Sequence, residues 1–550
     1  MREQTRPRFH VILTSLIATC VLTLSLVTMA GAQAAMPHAN AAQTHRNINC
    51  AASTACTEVH NPEEVFGEGN YVGHDEPSTL FYSNRPGSGN QMVYTLKLPK
   101  DPTPGPGNTP RSGQSFNFQL HPAFWFGMAM CATESYPLQV NTCTPDSDSN
   151  IFDGQDAAHP MSQHPGTAFM EMQFYPPGWV SWPAGNSCAP TKWCAALNID
   201  SLAEDPINGT TLNPTCAATT GLEYVNFAFI TKNGHAQAPV NPVESTLATF
   251  TPDPAQDLFM SSGDTLIVSL RDTAHGLRID IIDLSTGQAG SMTTSAANTF
   301  GQVHYDPTGT SCINDPYDFH PMYSTSSEHT RVPWAAHSYN IAFSDEIGHF
   351  ENCDNVDTSG TCVGNEGAVG DQEAADGDDV GCFPASDSLL IRVSGCLGTN
   401  TGFDGTPYQP VWPDGNTRLH PTSIQFTSPL TGQGNQYARV AFEADLPRIE
   451  APDLGGGCDR TTGSGCTLIP TTDDGQPANF YPFFSVHQGS SGCNWLLGND
   501  IPGQTTNDFG KNNQFGNLLF LNYLIFGGGG ATHSLTDNFR NVINNPCPAF

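Results

Sequence analysis

Apolar and polar residues alternate with a period of two in short runs along most of the chain, and helical periodicity is scarce. In "TAFMEMQFY" (167–175) Ala168, Met170, Met172 and Phe174 fall on one side of an extended segment. Phe169, Glu171, Gln173 and Tyr175 fall on the other, because successive strand side chains point to opposite faces. "SFNFQLH" (115–121) sets Phe116, Phe118 and Leu120 against Asn117, Gln119 and His121. "YNIAFSDE" (339–346) turns Tyr339, Ile341 and Phe343 inward and leaves Asn340, Ser344 and Glu346 outside. "RVAFEADL" (439–446) turns Val440, Phe442, Ala444 and Leu446 inward and leaves Glu443 and Asp445 outside. The runs are broken by Gly, Pro, Asn and Asp, and the 53 glycines and 43 prolines supply the punctuation. This pattern predicts an all-β, antiparallel fold of sandwich type with long loops.

The same pattern divides the chain. Arg2, Arg6 and Arg8 precede an apolar run from Val11 to Met29, and Ala32-Gln33-Ala34 follows as a small-residue cleavage site. Residues 1–34 therefore read as a secretory signal. Residues 35–112 read as an N-terminal extension ending in a Pro-rich linker, and 113–352 as the strand-rich body. Residues 353–396 form an acidic, Cys-rich insertion, and 397–550 a second strand-rich part that either stands alone or completes the sheets of the body.

Cysteine usage agrees with export. There are 17 cysteines, one of them (Cys20) in the signal, which leaves an even set suited to pairing in an oxidising compartment. Short spacings predict local bridges for Cys50/Cys56, Cys131/Cys143, Cys188/Cys194 and Cys458/Cys466. The charge narrows the partners. Lys and Arg number 20 against 53 Asp and Glu, a net charge of −33, so nucleic acid and anionic membrane are excluded as partners because phosphate binding needs a basic face. The expected molecule is a secreted monomer that leaves the membrane once its signal is removed and meets an extracellular glycan.

The stretch "SGDTLIVSLRDTAHGLRIDIIDLSTGQAGSM" (262–292) resembles a hairpin of lectin-like sandwiches, with a Gly-Asp opening one strand and a Leu-Ser-Thr-Gly-Gln turn after Asp283 closing its partner. It is most similar to the corresponding hairpin of glutamic peptidases, and "FMEMQFYPPG" is similar to a Tyr-Glu-Trp-Tyr-Pro strand of that family. The resemblance implies a lectin-like β-sandwich of the concanavalin or jelly-roll type, its long loops tethered by disulfides, and an acid peptidase activity. That family uses a Glu after the hairpin paired with a Gln from an earlier strand. Here "FGQVHYDP" (300–307) offers Gln302 and Asp306 but no Glu. Phrases such as "HPAFWFGMAMC", "WAAHSYNIAFSDEIGHFE" and "NFYPFFS" resemble a group of large secreted microbial proteins of unknown function, which implies no reaction.

The candidate chemistry follows from the polar strand faces. Glu171 and Glu346, with Asp345 as an alternate, supply the two carboxylates that glycoside hydrolysis needs, one protonated and one ionised. Gln119, His121, Gln173 and Tyr175 would bind sugar hydroxyls, and Trp179 and Trp182 in a Pro/Gly loop would stack on sugar rings. Asp146, Asp148, Asn150 and Asp153 place oxygen donors at near-alternate positions, as calcium requires. No cofactor is required by this reading, and calcium is the ion that loop would take. The competing expectations are a non-catalytic carbohydrate-binding or surface protein and an acid peptidase of the glutamic kind.

Overall fold

The computed structural model describes most of residues 90–117, 124–134, 167–177, 188–321 and 416–447, and the segments 78–82, 335–337, 484–497, 505–506, 517–525 and 532–547. The candidate residues Gln119, His121, Asp146, Asp148, Asn150, Asp153, Trp179, Trp182, Asp345 and Glu346 lie outside the described residues.

Twenty-two strands follow one another in chain order among the described residues. The first eight are β1 (Ser78–Tyr82), β2 (Gln91–Lys97), β3 (Phe124–Cys131), β4 (Thr167–Tyr175), β5 (Cys194–Leu202), β6 (Glu204–Asp205), β7 (Thr210–Thr211) and β8 (Glu223–Phe229). A hairpin of β9 (Thr265–Thr273) and β10 (Gly276–Asp283) leads into β11 (Ala289–Thr293), β12 (Gly301–Val303), β13 (Asn314–Pro316) and β14 (Ala335–His337). The last eight are β15 (Gln425–Phe426), β16 (Leu430–Thr431), β17 (Arg439–Pro447), β18 (Phe484–Gly489), β19 (Gly492–Leu497), β20 (Thr505–Thr506), β21 (Asn517–Ile525) and β22 (Thr532–Asn544). Among the described residues helix is confined to short pieces, Pro214–Thr220 and Leu247–Phe250, with single 3-10 turns that include Pro106–Asn108 and Ala296–Asn298. None of the described helices is long and apolar enough to cross a membrane.

Two large antiparallel sheets result. One has the order β21-β22-β17-β1-β14-β3-β4-β5-β8, and the other β11-β10-β9-β2-β15-β19-β18-β20 with β16 paired to β2. Their inner faces share one apolar core. Met170, Met172 and Phe174 of β4 and Leu197 and Ile199 of β5 belong to it, as do Leu266, Val268 and Leu270 of β9 and Leu277, Ile279 and Ile281 of β10. Aromatic rings cross between the sheets: Tyr94 of β2 packs on Phe126 of β3 at 4.8 Å, and Phe81 of β1 meets Trp495 of β19 edge-on at 5.8 Å. Such pairs contribute about 0.5–1.5 kcal/mol beyond area burial.

The β9–β10 hairpin forms where the pattern places it. Its register runs from Gly276↔Thr273 to Asp283↔Leu266. Asp283 closes the following turn: its carboxylate accepts from the Ser285 and Thr286 N–H groups and the Thr286 hydroxyl. At the other end Gly276 has φ +98, and a Cβ there would lie 2.5 Å from the Thr294 carbonyl oxygen, so only glycine fits.

Two expectations change, and one left open is resolved. The segment 115–121 is not a strand in its described part: Phe116 is irregular and Asn117 sits in a 3-10 turn, yet both are buried. The Asn117 N–H donates to Asp101, which fixes this segment to the linker rather than to a sheet. Residues 78–97, expected within an extension, supply β1 and β2, one to each large sheet. Strands from the 397–550 part lie in the same two sheets as those of the body, because β17 pairs β1 and β15 pairs β2. Disulfides join Cys188–Cys194, as the spacing predicts, and also Cys216–Cys312 and Cys493–Cys547, which no short spacing signals. Cys131 is disulfide-bonded as well.

Candidate functional site

The second face of β4, β5 and β8 carries the polar residues. Alternation sends Glu171, Gln173 and Tyr175 away from the shared core, and the register sets Glu171 directly opposite Asn198 and Gln173 opposite Ala196. Asp200, two residues beyond Asn198, is therefore the diagonal neighbour of Glu171 on the same face, within reach for side-chain interaction. Phe227 of β8 stands opposite Asn198, and Val225 opposite Asp200.

This face is covered, contrary to the expectation of an open polar surface. Glu171 is 1 % exposed, and Gln173, Asn198 and Asp200 are equally buried. A second apolar cluster lies over it, formed by Tyr175, Cys188, Cys194, Ala196, Phe227, Phe229 and Phe250. Phe250 comes from the short helix Leu247–Phe250 and stacks at a tilt on Phe227 at 5.2 Å. The helix begins in a capping box in which Thr246 and Thr249 satisfy one another's exposed backbone groups.

Within the layer the polar groups form a relay. The Tyr175 hydroxyl donates to Gln173 Oε1, and Gln173 Nε2 donates to Glu171 Oε2 at 2.6 Å. Burial pushes the Glu171 carboxyl well above the ordinary carboxylate range, and the neighbouring Asp200 charge pushes it further, while the Gln173 and Asn198 amides pull it back. The Tyr175 hydroxyl is raised by burial first and by the two acids second. Oε1 of Glu171 and Oδ1 of Asn198 are both buried with no hydrogen-bond partner. A proton on Glu171 Oε1 would convert that oxygen from an orphaned acceptor into a donor, facing the strand that offers the Asn198 amide oxygen. The arrangement favours the protonated form of Glu171 beside a second carboxyl.

Of the residues predicted for the site, Glu171, Gln173 and Tyr175 are brought together here. Asp200 and Asn198 are the members that sequence reasoning missed. Their signal was the alternation of "CAALNIDSL", where Ala195, Leu197 and Ile199 face the core and Ala196, Asn198 and Asp200 face the opposite way. Gln302 and Asp306 have other duties: Gln302 accepts from the Glu134 N–H, and Asp306 accepts from Thr308 and Thr310 to close a turn. Those four bonds hold the exposed Asp306 carboxyl below the ordinary range.

No family model matches the chain, and no curated protein or solved structure does either.

Proposed function

We propose that this protein is a secreted lectin-like β-sandwich that hydrolyses an extracellular polysaccharide with a carboxylate pair, Glu171 as the acid and Asp200 as its partner. The observation that supports this reading is the burial of Glu171 beside Asp200, which favours the protonated acid at a pH where ordinary carboxylates are ionised. Glycosidic cleavage needs a proton delivered to the leaving oxygen and a second carboxyl to act as nucleophile or base. Gln173 orients Glu171 through Oε2, and Asn198 and Tyr175 complete the hydrogen-bonding wall. Because Glu171 is 1 % exposed, a glycan reaches it only when the residues that bury it move aside. The partner is glycan, and the cysteine pairs agree with an oxidising, extracellular location.

A second reading, an acid peptidase, draws on the Gln173–Glu171 bond, because the glutamic peptidases that the β9–β10 hairpin resembles work with a Glu and a Gln. The pair here stands on one strand rather than two.

A panel of polysaccharides incubated at pH 3–7, with reducing ends counted, tests the proposal. Release of reducing sugar that Glu171→Gln abolishes supports it. Cleavage of a denatured protein substrate at acid pH, with no sugar released, replaces it with the peptidase. Glycan retention without turnover replaces it with a binding protein.

A further inference from the structure

We propose that Glu134, His304 and Asp315 form a binding site for a divalent transition metal of the zinc class. One donor atom from each side chain lies within 4.8 Å of the others. They come from separate stretches of chain. Glu134 stands three residues past the end of β3, His304 follows β12 directly, and Asp315 sits within β13.

The two-stranded β12–β13 ladder explains the convergence. Gln302 pairs with Asp315, so these two share a face, and His304, two residues on, joins them. The His304 N–H donates to the Ile313 carbonyl, which carries the pairing one step past the strand end. Glu134 is then docked onto that face from the sheet. Its N–H donates to Gln302 Oε1, Gln302 Nε2 donates to Thr133 Oγ1, and the Tyr305 N–H donates to Glu134 Oε2 at 3.0 Å. Gln302 is itself 1 % exposed, so the dock is fixed from beneath.

The hairpin cannot drift. Cys312 is bonded to Cys216 in the helix Pro214–Thr220, and the N-cap residue of that helix, Asn213, donates to the carbonyls of both His304 and Ser311 at 2.9 Å. The donors are thus preorganised, yet still open to water. The His304 and Asp315 side chains are 45 % and 40 % exposed, and His304 Nδ1 meets Asp315 Oδ2 at 2.6 Å.

The donor set decides the class of ion. One imidazole nitrogen and two carboxylate oxygens suit zinc and its first-row neighbours, whereas calcium takes six to eight oxygens. Zinc bonds of about 2.0–2.2 Å set donors roughly 3.4 Å apart, so a separation of 4.8 Å closes by about 1.4 Å while the His304–Asp315 contact at 2.6 Å opens, both within the rotamer freedom of half-exposed groups. Three protein ligands leave a fourth position for water. This site uses no residue of the Glu171 relay.

Calorimetric titration of chelator-treated full-length protein with Zn²⁺ tests the inference. Expected are a site of one ion per chain with a Kd below about 10 μM, at least ten-fold weaker binding in His304→Ala and in Glu134→Gln, and unchanged binding in Glu171→Gln. Co²⁺ in place of Zn²⁺ should give visible d–d bands that His304→Ala removes, and Ca²⁺ should not compete. Circular dichroism melts of both variants verify that they fold. No saturable binding at 100 μM Zn²⁺, equal binding by folded His304→Ala, or displacement by equimolar Ca²⁺ overturns the site and leaves a His–carboxylate ion pair only.

Discussion

Glu171 and Asp200 stand diagonally across neighbouring strands, buried on the same face, and the charge of one raises the affinity of the other for a proton. The first prediction tests this coupling. Asp200→Asn removes the repulsion, so the Glu171 pKa falls. With Glu171 as the general acid, activity of the parent is present below its pKa and lost as pH rises through it, whereas Asp200→Asn also removes the second carboxyl and lowers kcat, so the shift is read on the carboxyl itself. Glu171→Gln lowers kcat by about 10²-fold or more. Carbon-13 NMR of labelled glutamate reads the pKa shift even without a substrate.

Asp257 makes the fold more stable in acid. Burial raises its pKa from 3.8 to about 7, although Oδ2 accepts from the Asp253 N–H at 2.7 Å. Oδ1 has no partner. Asp101, tied to the Asn117 N–H and the Ser262 hydroxyl, is raised to about 6 in the same way. The folded protein binds these protons more tightly than the unfolded chain does. The contribution is therefore fully favourable below about pH 4 and is lost as pH rises from there through 6 and 7. Each unit is worth about 1.4 kcal/mol, so the loss from Asp257 alone is of the order of a few kcal/mol. Thermal melts of Asp257→Asn should match the parent near pH 4 and exceed it by several degrees at pH 8.

The Cys216–Cys312 bond spans 96 residues. Closing a loop of that size removes about 4–5 kcal/mol of unfolded-chain entropy. A Cys216→Ala/Cys312→Ala double variant should lose stability on that scale in denaturant titration, and the β12–β13 hairpin should exchange its amide hydrogens faster.

Asn213 carries three bonds from one side chain: Oδ1 accepts from the Cys216 N–H, and Nδ2 serves two carbonyls of the hairpin. Asn213→Ala removes a helix cap and leaves acceptors unpaired, at a cost of about 2–3 kcal/mol. Asn213→Ser keeps a cap oxygen but loses the two donations, and its smaller deficit, measured by chemical denaturation, separates the two roles.

Gly276→Ala forces a side chain into the Thr294 carbonyl at positive φ. It should destabilise by more than about 1 kcal/mol in the same assay.

The sheet segments whose information is local were legible. The β9–β10 strands read directly from Leu266, Val268 and Leu270 against Leu277, Ile279 and Ile281, and β4 from Met170, Met172 and Phe174. The site was half legible, for Glu171, Gln173 and Tyr175 share a strand. Asp200 was not, because nothing in a period-two pattern states which strand lies beside which. Covering of the polar face was equally hidden: Phe250 arrives from a four-residue helix about eighty positions away. The Glu134–His304–Asp315 convergence needs a docked hairpin, and no spacing rule links 134 to 304. In 115–121 alternation misled, since Asn117 is buried by a bond to Asp101 rather than exposed by a pleat.

Strand β1, near residue 80, is flanked on one side by β17, and β17 is flanked in turn by β22, which ends at Asn544. Strands about 450 residues apart in the chain thus lie within two places of each other in one sheet. Closing that part of the sheet depends on pairings of very large sequence separation, which a folding chain reaches slowly.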